Sequence, residues 1–422
     1  MPERRVAFLL YEFPSPTQTF VVDQLENLLA HGTDVLVFVR RRKYTIAAAA
    51  PVHAVYERIG WRWRSIDLGD EEDWGRAEQL LRLAGRALGA LARSPAETLR
   101  LVRRVRAERW PLRRRLAALL HALPFAGRGI DLLHIHFTWS GWDWEQLAHT
   151  LGVPLVVSVY GGDVALADAD AARRNAALFA RADAILCSSR YLERIALAQG
   201  APAERTRVLH PAIDCAFFSP DPAPREQDPP VLLSVARLHW NKAHADGVRA
   251  ITRLRASGAA FRWRIVGSGP EEEALGALVH ASGLEDCVEF TGTLERSAVR
   301  DAMRGASMFF LPSLHEAFGV AAAEAQACGL AVVATRVGGV PEVVEDGMSG
   351  LLVAAGDADA MARALGTLLG DAALRSAMGA QGRMRVQRLF GREVISEALP
   401  AIYTILCTTS GGAGARSLAP AH

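Results

Sequence analysis

The chain has 422 residues, half of them hydrophobic and 22% charged, and a formal net charge of +2; this is a globular, soluble composition with room for two domains of roughly 200 residues each. No apolar run reaches the ~18–20 residues of a membrane span, so any membrane contact is expected to be peripheral. The five cysteines (Cys187, Cys215, Cys287, Cys328, Cys407) are scattered and form no C-x-x-C, which argues for reduced thiols in a cytosolic protein and against a disulfide framework or a zinc site.

The N-terminal part alternates strand and helix. Arg4-Arg5 leads into Val6–Tyr11, an apolar run that reads as a short buried strand rather than a secretion signal. Phe20–Ala30 has a helical pattern and Asp34–Val39 is a second strand. Residues 76–121 read as helix throughout, broken at Ser94-Pro95 and Pro111. Asp131–Phe137 is a strand with His134 and His136 on the same side. Trp144–Thr150 is a helix, and Pro154–Tyr160 and Asp183–Ser188 are strands. The alternation predicts a parallel sheet with helices on both faces.

The clearest linker is 219–230, with five prolines and no apolar periodicity. The pattern then restarts with strand Val231–Ala236, a helix near 243–256, strand Arg262–Val266, a helix near 271–281, strand Val288–Phe290, a helix near 297–304 and strand Met308–Leu311. This predicts a second α/β unit.

The low net charge hides an uneven distribution. Thirteen arginines stand against three glutamates between Arg76 and Arg128. This region has three readings. The arginines could line solvated helix faces; they could attract anionic lipid headgroups beside an apolar helix face; or they could bind nucleic acid, for which no recognised module is present.

Residues 311–353 carry the most information. Glu316 and Glu324 stand eight positions apart. Between them Phe318-Gly319-Val320 opens an Ala-rich run, Ala321 to Ala327, that reads as a buried helix. A strand, Leu330 to Thr335, follows, then a Gly-Gly-x-Pro-Glu turn from Gly338 to Glu342. A carboxylate before a helix start, bare N–H groups at 318–320 and a second carboxylate on the helix suit a sugar diphosphate, because carboxylates bind hydroxyls and a helix N-terminus binds phosphate. Arg237 and Lys242 follow the strand Val231–Ala236, where charges at the C-terminal edge of a parallel sheet reach a ligand. Arg grips phosphate bidentately, and Lys acts as a mobile point charge.

This block resembles the E-x7-E donor-site signature of GT-B retaining glycosyltransferases, specifically glycosyltransferase family 4 ("glycosyl transferases group 1"), and is similar to exopolysaccharide and colanic-acid-type members. The resemblance covers nearly the whole chain. It is most specific over 231–353, fair over 131–163 and weakest over 40–125. It implies a GT-B α/β fold, two Rossmann-like domains whose parallel sheets face an interdomain cleft. Residues 1–218 would bind the acceptor, 219–230 would link, and 231–390 would bind the nucleotide sugar. A C-terminal helix over 391–408 would pack back on the first domain, with 409–422 a disordered tail.

The resemblance also implies roles. Arg237 and Lys242 fall on the family's phosphate-binding pair, with Ala243 where Gly is usual. Glu316 would bind hydroxyls of the donor sugar and steady positive charge near the anomeric carbon, and Glu324 would bind the ribose diol. Gly267 borders the donor site, although Glu271 to Glu273 would repel a phosphate there. Thr293 and Leu294 match the turn beside the nucleobase. Residues Phe13 to Phe20 resemble the family's "FP…SETF" element, so Thr17 and Thr19 are expected on the acceptor; helix capping by either threonine is the competing reading. His136 matches a family element beside the cleft and is placed with the catalytic residues, with His134 structural. A metal pair is the other reading, and two histidines alone make a poor metal site.

Tyr160 departs from the family's His-Gly-x-Asp, where the His reaches the donor sugar. A phenol can donate a hydrogen bond but cannot take up a proton near neutral pH. Either the donor sugar differs around its primary hydroxyl, or activity is altered or lost. Asp163 is expected on a substrate, in the acceptor site, or as the cap of the following helix.

No DxD stands in a convincing loop, since Asp168-Ala-Asp170 sits in an Ala-rich helical stretch. Transfer is therefore expected without metal or other cofactor, the nucleoside-diphosphate sugar being a co-substrate. Cations aimed at the departing diphosphate should supply on the order of several kcal/mol. Retention would proceed by same-face attack with the departing phosphate as base. The expected role is assembly of a bacterial surface polysaccharide or glycolipid on a saccharide or lipid-linked acceptor, in the cytoplasm or at the inner face of the membrane, with no nucleic-acid partner. The alternatives are glycosylation of a small natural product such as an aminoglycoside-like sugar, and a catalytically silent GT-B partner protein, to which Tyr160 points.

Overall fold

A computed structural model describes residues 4–13, 19–41, 65–68, 75–142, 144–222 and 227–409. The chain forms two compact units. The first takes its described residues from 1–188, 192–209 and 396–422, the second from 189–191 and 210–395.

The first unit is built on a seven-stranded parallel sheet. Its strands are β1 (Arg5–Glu12), β2 (Asp34–Arg41), β3 (Ser65–Asp67), β4 (Leu132–His136), β5 (Leu155–Val159), β6 (Ala184–Cys187) and β7 (Thr206–Val208), in the order β3-β2-β1-β4-β5-β6-β7. Val6, Phe8 and Leu10 pack with Val35, Val37 and Val39 on one face. Ala7, Leu9 and Phe38, pointing the other way, are buried too. Burial on both faces is why these strands read as continuous apolar runs. Leu399, Tyr403 and Leu406 of the helix Ala398–Thr409 complete the first face.

The arginine-rich stretch forms three helices, Arg76–Arg93, Pro95–Ala107 and Leu112–Ala122. The first break is made by Ser94, whose side chain accepts from Glu97 N–H, with Pro95 starting the next helix.

The second unit has a six-stranded parallel sheet. Its strands are β8 (Val231–Val235), β9 (Arg262–Val266), β10 (Val288–Gly292), β11 (Met308–Leu311), β12 (Val332–Thr335) and β13 (Gly350–Val353), in the order β10-β9-β8-β11-β12-β13. Leu232, Phe310 and Val333 fill one side; Leu233, Phe309 and Val332 fill the other. The strand order reverses between β8 and β11 here, and between β1 and β4 in the first unit. Open parallel sheets take ligands at the C-terminal strand ends beside such a reversal.

The boundary expected at 218 falls at 209. Residues 210–218 fold with the second unit because Ile213, Cys215 and Phe218 are buried against Phe309, Val386 and Phe390. The single helix expected over 391–408 is divided: Arg392–Ile395 stays with the second unit, while Ala398–Thr409 belongs to the first. The tail expected to be disordered lies, from 410 onward, outside the described residues.

Candidate functional site

In the second unit the loop after β8 is tied to the loop after β11. The Asn241 carbonyl accepts from Leu314 N–H at 2.8 Å and His315 N–H at 3.2 Å. The tie brings Lys242 Nζ to 2.6 Å from Glu316 Oε1, an ion pair whose side chains are 22% and 10% exposed. Ser313 Oγ donates to the same oxygen at 2.8 Å. Arg237 stands exposed at the end of the strand, with no ion pair among the described residues. The two loops flank the reversal of strand order, so Lys242 and Glu316 meet where the topology places a ligand, with Arg237 on the same loop as Lys242.

The backbone of Glu316 is seated by the turn after β12. Its carbonyl accepts from Gly339 N–H at 3.1 Å. A Cβ on Gly338, which has φ 52°, would stand 1.6 Å from that carbonyl oxygen, so only glycine fits there. The helix Val320–Ala327 begins at Gly319, whose φ of 99° is left-handed. The N–H groups of Gly319, Val320 and Ala321 have no acceptor among the described residues, which leaves a helix start that can bind phosphate. Phe318 contributes backbone only, since its ring is buried edge-on against Phe390. Glu324 is partly buried on the second turn of this helix.

Other expected donor contacts are modified. Gly267 N–H is taken by the Gly292 carbonyl at 2.8 Å and cannot also serve a ligand. Thr293 is exposed, its Oγ1 2.9 Å from Ser268 Oγ, while Leu294 packs against the core.

In the first unit three expectations need correction. His136, expected among the catalytic residues, is fully buried, with the Phe8 and Tyr160 rings against it. Its Nδ1 lies 2.9 Å from the Tyr160 hydroxyl, which donates to Gln24 Oε1 at 3.3 Å. Its Nε2 has no partner among the described residues. Burial holds the His136 pKa down to about 3, so the ring is neutral. Tyr160 therefore presents an engaged hydroxyl, and its ring lies against Phe20 and Phe137. Burial pushes its pKa up.

Asp163, expected on the acceptor, is instead a buried brace. Its Oδ1 accepts from Gly161 N–H at 2.8 Å and Tyr160 N–H at 3.2 Å, and its Oδ2 from Thr138 N–H at 3.1 Å. Burial raises its pKa to about 6, against the pull of those N–H groups. His134 sits between Tyr403 and Ser158 hydroxyls as a structural residue. Thr17 and the Thr19 side chain lie outside the described residues. Asp168 caps the helix Ala169–Phe179, and Asp170 pairs with Arg173 and Arg174, which accounts for both carboxylates of that Asp-Ala-Asp.

Sequence reasoning missed Ser313 and Asn241. Neither has a motif of its own; each acts through Glu316 or its loop. The Gly-Gly turn was visible, but its contact with Glu316 was not.

Comparison with known proteins bears on this arrangement. The family described as "Glycosyl transferases group 1" matches residues 218–385, and "Glycosyltransferase Family 4" matches 17–217. WcaL of Salmonella typhimurium, named for colanic acid biosynthesis, is 30% identical over 86% of this chain and 89% of its own. The amylovoran biosynthesis glycosyltransferase AmsK of Erwinia amylovora is 28% identical over 86% of this chain and 89% of its own. Among solved structures, HepE of Anabaena, in complex with UDP and glucose, superposes with a TM-score of 0.73 at 17% identity, covering 96% of this chain and 100% of that one. The sucrose-phosphate synthase of Thermosynechococcus elongatus gives 0.72 at 22% identity, covering 96% and 100%.

Proposed function

The chain belongs to glycosyltransferase family 4, the glycosyl transferases group 1, and has the GT-B fold; on that premise we propose that it moves a sugar from a nucleoside-diphosphate sugar to a saccharide or lipid-linked hydroxyl, with retention and without a metal, in building a surface polysaccharide or glycolipid. The observation that carries the reading is the Lys242–Glu316 pair beside the open helix start at Gly319. Lys242, Arg237 and those N–H groups meet the charge that develops on the departing diphosphate. Glu316 faces the sugar, and Glu324 the ribose. The names of WcaL and AmsK support a polysaccharide product, and the UDP held by HepE makes UDP the first nucleotide to try.

We also place the protein at the inner membrane face, held by 76–128. Leu80, Leu81, Leu88, Leu99 and Leu112 are at least half exposed there, beside the exposed Arg100, Arg103, Arg106, Arg109 and Arg113. Apolar side chains among cations suit an anionic lipid surface. Flotation with neutral and anionic liposomes tests this part, and equal binding to both rejects it.

The test of the main reading is a metal-free thermal-shift screen against nucleoside diphosphates and their sugars on wild type and Glu324→Ala. A shift with one nucleotide, reduced in the variant, is expected. No shift with any nucleotide would favour the catalytically silent partner, which the engaged hydroxyl of Tyr160 supports.

A further inference from the structure

We infer that the first unit recognises an anionic group on the acceptor, a carboxylate or a phosphate, through Arg40 with Trp144 beside it. The inference rests on the acceptor-binding reading of this unit. Arg40 stands at the C-terminal end of β2, next to β1 and close to the reversal of strand order between β1 and β4. This is the edge where open parallel sheets take ligands.

The guanidinium is buried, with the residue 4% exposed. A buried charge is normally matched, since removing it from water costs several kcal/mol. Among the described residues no carboxylate pairs with Arg40. Its Cζ lies 5.4 Å from the Tyr11 ring and 5.6 Å from the Trp144 ring. Its Nη1 makes only two long hydrogen bonds, to the Trp139 and Trp142 carbonyls at 3.4 Å each. Its Nε–H has no acceptor, and neither has the buried indole Nε1–H of Trp144.

Among the described residues, Arg40 thus keeps a donor without an acceptor and a charge without a counter-charge, and the indole N–H of the ring beside it has no acceptor either. An anion supplies the counter-charge together with an acceptor for the Arg40 Nε–H. The carboxylate of an acidic sugar and the phosphate of a phosphorylated acceptor share that chemistry, and the planar fork of arginine suits either. Buried water would satisfy the N–H groups and leave the charge unmatched.

The probes are sodium glucuronate and glucose 1-phosphate, with methyl glucoside as the neutral control. Each is titrated by ligand-observed NMR into the full chain and its Arg40→Gln and Trp144→Phe variants. One anion should bind at least ~10-fold more tightly than methyl glucoside. Arg40→Gln should abolish the preference, and Trp144→Phe should reduce it. Preference for glucuronate assigns an acidic sugar; preference for glucose 1-phosphate assigns a phosphate. No preference in wild type, or a preference kept in Arg40→Gln, overturns the inference. A second reading comes from heat. Arg40→Met should unfold at the same temperature as wild type or higher, because an unmatched cation has gone. A fall of several degrees would make Arg40 structural and overturn the inference. UDP titrated into the same samples reports separately on the donor site, which Arg40→Gln should leave intact.

Discussion

Neutralising Glu316 should tighten nucleotide binding while stopping turnover. Lys242 Nζ lies 2.6 Å from Glu316 Oε1, in a pair 22% and 10% exposed. An arriving diphosphate must draw Lys242 away from that carboxylate and accept the carboxylate as a neighbour. A hydrogen bond to a charged group contributes about 1.5–3 kcal/mol and a neutral one about 0.5–1.5. Glu316→Gln keeps the side-chain length and the contact with Ser313, and it removes the difference, about 1–1.5 kcal/mol. At 1.4 kcal/mol per tenfold, UDP should bind the variant about five- to tenfold more tightly. Turnover should fall ~100-fold or more, because the charge facing the oxocarbenium-like sugar is gone. Calorimetric titration of UDP and steady-state rates measure the two effects. Lys242→Met is the control, in which UDP binding weakens and Glu316→Gln brings a smaller gain. Weaker UDP binding in Glu316→Gln, or a full gain without Lys242, would refute the reasoning.

Gly338→Ala should destabilise the second unit by about 2–4 kcal/mol in urea unfolding and sharply reduce turnover, because its Cβ meets the Glu316 carbonyl at 1.6 Å. Ala243 holds a left-handed φ of 49°, so Ala243→Gly should stabilise by about 1 kcal/mol; a loss of that size would show that its buried methyl outweighs the strain. Acid should weaken the first unit. As pH falls below about 6.5, the unfolded chain protonates two histidines that burial keeps neutral, His136 down to about 3 and His134 well below its usual value. Asp163 acts oppositely, its folded carboxyl taking a proton near 6 and its unfolded one near 3.8. Between pH 6 and 4 the unfolded state holds about one proton more on these three groups than the folded state does, so about 1.4 kcal/mol is lost per pH unit. His136→Gln should flatten that slope in urea midpoints taken at pH 6, 5 and 4; an unchanged slope would mean that other groups set it.

Ten of the thirteen described strands were legible because most are buried on two faces, which writes them as unbroken apolar runs; the three not read, Ser65–Asp67, Thr206–Val208 and Gly350–Val353, are short and stand at sheet edges. Met308–Leu311 is a strand as read. The boundary at 209 was not legible. The prolines of 219–230 mark a break in pattern, whereas Ile213 and Phe218 find their partners Phe309 and Phe390 far along the chain. His136 and Asp163 were misread for a related reason. Alternation along β4 tells which side of the strand His136 faces, but it does not tell that Phe8 and Tyr160 cover that side.

The donor half was more legible than the acceptor half because its chemistry is carried by the backbone. A helix start, a left-handed Gly319 and a glycine turn against the Glu316 carbonyl each need particular residues in local order, so they leave a string in the sequence. Even there, the Lys242–Glu316 pair joins residues 74 positions apart, and the string shows its members but not their contact. The Arg40 cluster has no such string. Tyr11 ends β1, Arg40 ends β2 and Trp144 follows β4, and each alone is an ordinary residue at a strand end. Only the parallel register of β1 and β2, which sets Tyr11 beside Arg40, makes visible a buried cation that has no counter-charge among the described residues. Where recognition is assembled from side chains on separate strands, the missing partner is evident only in the folded unit.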